Sequence, residues 1–264
     1  SGTPGYQLML QAGEGIVTVL RRHFLKRSTV VLCGPGNNGG DGYVVARLLQ
    51  ELGWPVWAVA AVPDGKVRGD ALVAASKWLN GGGKVIGIDD VTIGPDDLVV
   101  DAVFGAGLAR AVDADIKAMF DRVRRSGAAV LAVDLPSGVN GGTGEVMGDA
   151  LAADVTVTFF RGKPGHLLEP GRSLCGVTEV VDIGIPAPVL DGIRPQTVEN
   201  GPGVWRHLLP SAHPAAHKYQ RGHVIMIAGT MPGAARLVCA GARHAGAGYV
   251  AVVADSACRL ALMQ

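Results

Sequence analysis

"VVLCGPGNNGGDGYVVARLL", residues 30–49, joins a short apolar run to a glycine-rich segment and then to apolar residues at helical spacing. This pattern predicts a buried strand, a turn and a helix, in that order. Gly34, Gly36 and Gly39 satisfy the G-x-G-x-x-G spacing of a dinucleotide-binding turn. The stretch therefore favours an α/β fold with a ligand near the end of its first strand.

Outside this stretch, apolar strands alternate with segments of helical periodicity. Strands that are apolar throughout are typical of a parallel sheet covered by helices on both faces. We therefore predict a doubly wound, Rossmann-like α/β domain with a mostly parallel sheet over residues 1–186. The predicted helices are 6–26, 41–51, 70–79 and 112–125, and the predicted strands are 29–32, 55–62, 84–88, 98–101, 129–133, 155–159 and 177–181, the last two without a clear helix between them.

The composition changes after this first domain. Residues 187–216 contain five prolines, three glycines, two histidines and one asparagine and show little periodicity, which predicts a linker. Residues 217–264 contain a predicted strand at 223–227, a helix at 234–244 and a strand at 249–253. Because one βαβ unit cannot bury both faces of its sheet, we predict that this segment is the first part of a larger second α/β domain.

Composition and charge exclude several classes of protein. A formal net charge of +1 with both signs dispersed gives no basic face for a phosphate backbone, so no nucleic-acid partner is expected. The chain shows no signal peptide and no apolar run long enough for a membrane span, which predicts a cytoplasmic protein without a membrane partner. The four cysteines have no C-x-x-C spacing and are expected to be buried free thiols.

Polar residues cluster where three of the predicted strands end. Because parallel strands present their carboxyl ends at one edge of the sheet, these side chains are expected to meet there. Oxygens from Asn38, Asp101 and Ser137, carrying one formal negative charge, would suit a hard cation of low charge if the three loops are neighbours. The polar residues are Asn37, Asn38 and Asp41 after the first strand, Asp101 at the end of the 98–101 strand, and Asp134 and Ser137 after the 129–133 strand.

The glycine segment does not complete a dinucleotide fingerprint. That fingerprint needs a carboxylate about 20 residues on, at the end of the second strand, to hold a ribose hydroxyl. Residues 57–59 are Trp, Ala and Val, and Asp64, the nearest acid, comes late. Asn37 and Asn38 instead place two amide side chains in the segment, although asparagine and glycine are also ordinary turn formers.

Three other features have both a functional and a structural interpretation. Asp134 follows an apolar strand and precedes a sharp turn, so partial desolvation would raise its pKa into a range suited to acid/base work; capping is the alternative. Asp101 is equally consistent with a turn cap. Residues 163–166, KPGH, either contact a phosphate or form a solvated turn, and we favour the turn. The seven histidines show no metal-ligand spacing.

Three segments taken together resemble the NAD(P)H-hydrate epimerase family, whose domain is also called the YjeF N-terminal domain. In chain order they are GPGNNGGDG at 34–42, DAVFGAG at 101–107 and DLPSG at 134–138. Shorter stretches support the resemblance, and the match spans nearly the whole first domain. These stretches are LMLQAG at 8–13, TVTF at 156–159, KPGH at 163–166 and DIGIP at 182–186.

The resemblance implies an isomerase of cofactor repair, which interconverts the R and S forms of NADH or NADPH carrying a hydroxyl on carbon 6 of the nicotinamide ring. It implies that Asp134 transfers the proton as acid in one direction and base in the other, with ring opening to an aldehyde as a second route. It also implies a potassium ion held by Asn38, Asp101 and Ser137, and a homo-oligomer, a dimer or higher. The residues implied to bind the hydrate are Asn37, Asn38, Gly39, Gly40, Asp41, Gly105, Ala106, Gly107, Leu108, Ala109, Arg110, Ala111 and Asp134.

The tail resembles the opening of the ADP- or ATP-dependent NAD(P)H-hydrate dehydratase domain, which has a ribokinase-like fold. The residues that carry this resemblance are HKYQRGH at 217–223, Gly229, GAA at 233–235 and AGAG at 245–248. It implies that Ala234 contacts the hydrate in that half, that ADP or ATP serves only a complete dehydratase domain, and that the two activities are fused. Because the chain stops before the later glycine-rich loops, no dehydratase activity is expected from it alone.

Two other functions compete with the epimerase interpretation. An NAD-dependent oxidoreductase would explain the glycine spacing but neither the missing ribose carboxylate nor the segment at 134–138. A non-catalytic binding module of the same fold would explain the overall pattern. Such modules tend to lose the polar loop residues, which this chain carries at Asn37, Asn38, Asp41, Asp101 and Asp134.

Overall fold

Seven parallel strands form the central sheet in a computed structural model that describes residues 2–62, 67–209 and 215–262. The order across the sheet is β3-β2-β1-β4-β5-β6-β7, and every neighbouring pair is parallel. The predicted doubly wound parallel sheet is therefore confirmed. The strands are β1 (Thr29–Cys33), β2 (Val56–Ala60), β3 (Val85–Ile86), β4 (Leu98–Ala102), β5 (Ala129–Val133), β6 (Val155–Phe159) and β7 (Val177–Val181).

Helices cover both faces of this sheet and bury a separate apolar cluster on each. Ile16, Leu49 and Trp78, from three consecutive helices, lie in the first cluster, whereas Ile116 and Phe120 lie in the second. Successive residues of the buried strands point to opposite clusters, which is why these strands are apolar throughout. The helices of this unit are α1 (Gly5–His23), α2 (Asn37–Glu51), α3 (Gly69–Asn80), α4 (Ala114–Ser126), α5 (Gly171–Leu174) and α6 (Val189–Ile193).

The strand order reverses between β1 and β4. From β1 the chain runs through α2 to β2 on one side, and from β3 it crosses back to β4 on the other side of β1. Ligands of open α/β sheets bind in the crevice that such a reversal leaves at the carboxyl ends of the strands. The polar residues that follow β1 and β4 are therefore placed at the edge where a ligand is expected.

Two predicted boundaries are wrong by more than two residues. Helix α2 begins at Asn37 and not at residue 41, because Gly36 is the extended N-cap and the segment read as a loop forms the first helical turn. Helix α1 ends at His23 and not at residue 26, because the backbone of Phe24 is extended. The short helix α5 lies between β6 and β7, where no clear helix was predicted.

The chain divides into two compact units, Ser1–Thr197 and Val198–Gln264. In the second unit the predicted βαβ segment is observed, with two parallel strands joined by a helix and followed by another helix. Short helices occur in the stretch predicted as a linker, where α6 lies in the first unit and α7 in the second. The elements of the second unit are α7 (Pro202–Trp205), β8 (His223–Ile227), α8 (Pro232–His244), β9 (Tyr249–Val253) and α9 (Ser256–Leu262).

Three further expectations concern single features. All four cysteines are free; Cys33, Cys175 and Cys258 are buried, whereas Cys239 is half-buried. Asp64, the acid considered for a ribose contact, lies outside the described residues. Within the three described ranges, no helix combines the length and apolar character that crossing a membrane requires.

Candidate active site

A cavity of about 760 Å³ lies at the carboxyl ends of the strands next to the reversal in strand order. Ten of the residues predicted to bind a ligand line it together with six that were not predicted. The predicted residues are Asn37, Asn38, Asp41, Gly105, Ala106, Gly107, Leu108, Ala109, Arg110 and Asp134, and the others are Pro35, Gly36, Val103, Phe104, Phe159 and Lys163.

The first turn of α2 is packed tightly against the strand ends below the cavity. A Cβ on Gly34 would collide with the carbonyl group of Val103, and a Cβ on Gly39 would collide with the carbonyl group of Gly34. These two glycines therefore allow the start of the helix to approach the sheet closely, which is one role of glycine in phosphate-binding turns. The helix start presents Gly36, Asn37 and Asn38 to the cavity.

Asp134 follows β5 directly and has a left-handed backbone with φ of 68°. Few residues other than glycine adopt this conformation, and aspartate and asparagine are among those that tolerate it best. The backbone N–H of Asp134 donates to the carbonyl of Val157 on β6 at 2.7 Å. The left-handed turn ends the strand abruptly and places the carboxyl group at the wall of the cavity.

The Asp134 carboxylate accepts three hydrogen bonds. The backbone N–H of Ala106 donates to Oδ2 at 2.8 Å, and the Thr158 hydroxyl and the Lys163 ammonium donate to Oδ1 at 2.9 and 2.7 Å. Burial opposes ionisation, but the positive charge of Lys163 and the three donors outweigh it, so the pKa of Asp134 is lowered. The predicted raised pKa is therefore wrong: Asp134 is an ionised carboxylate at neutral pH.

Lys163 and His166, in the loop after β6, both form hydrogen bonds with Asp134. The Lys163 ammonium donates to the Thr158 hydroxyl at 2.6 Å as well as to Asp134. The ring Nδ1 of His166 accepts the backbone N–H of Lys163 at 2.9 Å, which leaves Nε2 to donate to the backbone carbonyl of Asp134 at 2.8 Å. Burial lowers the pKa of His166, so the ring is neutral. The solvated turn that we favoured at 163–166 is therefore wrong.

Asp101 and Ser137 lie beneath the cavity and are both fully buried. The Ser137 hydroxyl donates to Asp101 Oδ1 at 2.6 Å, and the Ser137 backbone N–H donates to Oδ2 at 2.8 Å. Burial raises the pKa of Asp101 to about 6, although these hydrogen bonds oppose the change. No cationic side chain of the described residues forms an ion pair with this carboxylate.

The side-chain amide of Asn38 points toward the same loops. A Cβ on Gly105 would lie 3.1 Å from Asn38 Oδ1 and 2.8 Å from Asp134 Oδ2, so both oxygens border the loop after β4. Asn38 Nδ2 is buried and has no hydrogen-bond partner among the described residues. A buried amide donor without a partner is costly, so this N–H group favours a ligand that supplies a hydrogen-bond acceptor.

Asp41 is the second acidic residue at the cavity wall. Asp41 lies in α2 and is only 9% exposed. Within the described ranges, its carboxyl group accepts no hydrogen bond. Burial raises its pKa well above the ordinary value, and the negative charge of Asp134 raises it further. The pKa values of Asp41 and Asp134 are therefore shifted in opposite directions although the two residues share one cavity.

Not every predicted site residue reaches the cavity. Gly39 and Gly40 are buried in the first turn of α2 and do not line the cavity, and Ala111 is exposed and does not line it either. Ala234 is exposed in the first turn of α8 in the second unit. Within the described ranges, no group of three His, Cys, Asp or Glu residues is arranged to hold a metal ion.

The missed residues have different signals in the sequence. Phe104 lies in the segment 101–107 after a predicted strand and Phe159 ends the predicted strand 155–159, but neither was predicted to bind the ligand. Lys163 belongs to a segment that had been singled out, but its partner is 29 residues away in the sequence. The signal available in the sequence was a basic residue, Lys163, in the short segment after the predicted strand 155–159.

Comparisons with known proteins agree on one family. The profile of the family described as "YjeF-related protein N-terminus" matches residues 5–165. A NAD(P)H-hydrate epimerase of Oenococcus oeni is 38% identical over 190 residues, which are 71% of this chain and 90% of that protein. The bifunctional NAD(P)H-hydrate repair enzyme of Escherichia coli is 37% identical over 254 residues, which are 95% of this chain and 49% of that protein.

A bifunctional repair enzyme of Moorella thermoacetica is 36% identical and is likewise matched over 49% of its length. The chain thus spans about half the length of these bifunctional relatives. Among solved structures, the yeast protein ynu0 is similar with a TM-score of 0.61 over 72% of this chain and 84% of that one, at 21% identity. The structural likeness supports the fold alone.

Proposed function

This chain belongs to the family of YjeF-related N-terminal domains, and on that premise we propose that it interconverts the R and S forms of NAD(P)H hydrate. The observation that carries the proposal is the ionised carboxylate of Asp134, which accepts three hydrogen bonds at the wall of the cavity. An anion fixed at that place can stabilise the cationic nicotinamide intermediate of the route through an iminium ion.

Different walls of the cavity suit the phosphates and the nicotinamide ring of the nucleotide. The start of α2 presents backbone N–H groups and the Asn37 amide, which suit the phosphates of a dinucleotide. Phe104 and Phe159 offer apolar surface near Asp134, which suits the nicotinamide ring. Substrate-binding roles for Asn37, Asn38, Asp41 and the segment 105–110 are part of the proposal.

The reaction needs a proton at the departing hydroxyl and an anion beside the ring. The lone pair of the ring nitrogen expels the protonated C6 hydroxyl as water and leaves a planar iminium ion. Water then returns to carbon 6 from the other face. Because Asp134 is ionised, it is suited to stabilise the iminium charge and to accept the proton of the returning water.

The residues proposed to hold potassium fit a monovalent cation. Asp101 is a fully buried carboxylate with no ion-pair partner in the described chain. An asparagine amide also presents an oxygen ligand, and Ser137 presents a hydroxyl beside Asp101. When bound, the ion would supply the positive charge that Asp101 lacks and tie together the loops after β1, β4 and β5.

We expect potassium to stabilise the protein specifically. A ligand that binds only the folded state at one hundred times its dissociation constant adds about 2.7 kcal/mol, and each kcal/mol raises the melting temperature by roughly 2–4 °C for a domain of this size. The shift should be seen in thermal unfolding with potassium chloride and not with tetramethylammonium chloride at equal ionic strength. Asp101→Asn should abolish it, whereas Asp115→Asn on exposed α4 should not. An equal shift with both salts would contradict a specific site.

The direct test of the proposed function supplies purified R-form NADPH hydrate to the protein. Proton NMR or chiral chromatography should show conversion to the R/S equilibrium mixture faster than in a protein-free sample. Hydrate that binds without interconversion would indicate a non-catalytic module. A change in nicotinamide absorbance with common alcohols or hydroxy acids would indicate an oxidoreductase instead.

The second unit extends the proposal to a bifunctional protein. We propose that residues 1–186 form the epimerase domain, 187–216 the linker and 217–264 the opening of an ADP- or ATP-dependent dehydratase domain in which Ala234 meets the hydrate. The bifunctional names of relatives matched over half their length support this. Apolar side chains that this unit leaves exposed, including Ile225, Ile227 and Leu237, fit an α/β layer that further elements would cover.

We also propose that the protein is a homo-oligomer, a dimer or higher. Analytical ultracentrifugation would test its oligomeric state.

A further inference from the structure

The cavity contains two carboxyl groups in opposite surroundings. Asp134 has three donors, one of them the ammonium of Lys163. Asp41 has none among the described residues, although it is almost completely buried. It lies beyond the first helical residues of α2, so the N–H groups at the helix start do not cap its carboxyl group.

Lys163 is the cation that distinguishes the two groups, because it pairs with Asp134. Two carboxylates that share a desolvated cavity cannot both carry a charge cheaply, so the group with a cationic partner ionises and the other keeps its proton. The Lys163 ammonium is hydrogen-bonded to Asp134 and Thr158, and no ion pair joins any described cation to Asp41. In line with this asymmetry, the pKa of Asp134 is lowered and that of Asp41 is raised.

The other charged or titratable groups around α2 do not alter this assignment. Arg110 also lines the cavity, from an exposed loop. In the strands packed against α2, Cys33 is a buried thiol with a raised pKa and Asp101 is bound by Ser137. The helices packed against α2 carry Tyr6, Glu14, Arg21, Arg22 and His23 in α1 and Asp70 and Lys77 in α3, and no ion pair joins any of them to Asp41.

We propose that Asp41 is the acid of the reaction: its carboxyl group protonates the C6 hydroxyl that leaves the ring, while Asp134, ionised at the start, accepts the proton of the returning water. This assignment rests on the proposed epimerase function. It separates two roles that the sequence had placed on Asp134 alone. Pairs of carboxyl groups whose surroundings push their pKa values apart commonly divide acid and base work in this way.

The proton and electron balance of the step is complete without a further reactant. The Asp41 proton moves to the C6 hydroxyl, the C6–O bond breaks, and the ring-nitrogen lone pair forms the N=C bond of the iminium ion. A second water adds to carbon 6 on the other face, the N=C electrons return to nitrogen, and the excess proton of that water moves to the Asp134 carboxylate. Transfer of this proton to Asp41 through solvent restores the starting state.

Asp41→Asn tests the assignment, because asparagine keeps the size of the side chain but has no acidic proton. We expect kcat for interconversion to fall by about 10²–10³-fold with KM changed only a few-fold. The wild-type kcat should fall as the pH rises through the pKa of Asp41, and this alkaline limb should be absent from the variant. Asp115→Asn, on the exposed surface of α4, is the matched control and should keep the wild-type profile.

Infrared spectroscopy in D₂O tests the protonation state independently of activity. At a pH well above the Asp101 pKa of about 6, a carboxylic C=O stretch should remain in the wild-type protein, be missing in Asp41→Asn and be retained in Asp134→Asn. The assignment is overturned if Asp41→Asn raises KM while kcat and the alkaline limb stay unchanged, or if the wild-type protein lacks this band. If the wild type shows the band but does not interconvert the hydrate, the proposed epimerase function is wrong, whereas the different protonation of Asp41 and Asp134 is supported.

Discussion

Replacing Asp134 by asparagine is expected to lower the rate of R/S interconversion by roughly a thousandfold, within the range for loss of a group that transfers a proton. The charge that opposes the iminium ion is lost together with the acceptor for the proton of the returning water. Asparagine is the appropriate substitution because it tolerates the left-handed backbone at φ of 68°. Its side-chain oxygen can also still accept a hydrogen bond from Ala106 or Thr158.

Two measurements make this prediction decisive. Interconversion of the hydrate is followed by proton NMR, and folding is checked by circular dichroism and thermal unfolding. Asp115→Asn on the exposed surface of α4 should interconvert the hydrate at the wild-type rate. An Asp134→Asn protein that interconverts the hydrate as fast as the wild type would remove Asp134 from the chemistry.

The positions of the site residues were accessible from the sequence because parallel strands end at one edge. Asn38, Asp101 and Asp134 follow apolar runs that could be recognised as strands, and the sheet brings those ends together. The side chains of Asn38 and Asp134 border one loop, and Asp101 lies beneath it, bound by Ser137. Local periodicity thus placed each residue at a strand end, whereas their convergence depended on β1, β4 and β5 being neighbours in the sheet.

The charge state of Asp134 was not accessible in the same way. Burial at the end of an apolar strand is visible in the sequence and by itself raises the pKa of a carboxyl group. The opposing ammonium of Lys163 comes from the loop after β6, and only the fold brings the two together at 2.7 Å. The same limit applies to the start of α2, where Asn and Gly favour a turn locally but packing against β1 and β4 extends the helix.

Lys163→Met is expected to weaken both stability and activity by removing the cation that keeps Asp134 ionised. Breaking a fully buried pair by removing one partner costs about 3–5 kcal/mol. Because the two side chains are 26% and 15% exposed, solvent reduces this cost, and we expect about 2 kcal/mol at neutral pH. Interconversion should fall about a hundredfold, since general acid–base groups contribute on this scale and Asp134 would lose both its anchor and part of its charge.

The pH dependence of the stability loss separates this cause from simple loss of packing. In the wild type the pKa of Asp134 is lowered on folding, so its stabilising contribution is present above its ordinary pKa and disappears as the pH falls through the folded-state value. Without Lys163, burial dominates and raises that pKa. The ionised carboxylate then destabilises the variant at neutral pH, and protonation relieves this as the pH falls. The difference in unfolding free energy should therefore be largest near neutral pH and shrink in acid.

A second substitution identifies the unpaired charge directly. Asp134→Asn added to Lys163→Met removes the buried carboxylate, so the double variant should be more stable than Lys163→Met alone at neutral pH. Lys117→Met, which alters an exposed lysine of α4, should leave stability and activity near the wild-type values at every pH. Urea unfolding across the pH range measures all four proteins. A loss in Lys163→Met that is independent of pH and unaffected by Asp134→Asn would show that Lys163 acts through packing and not through the charge of Asp134.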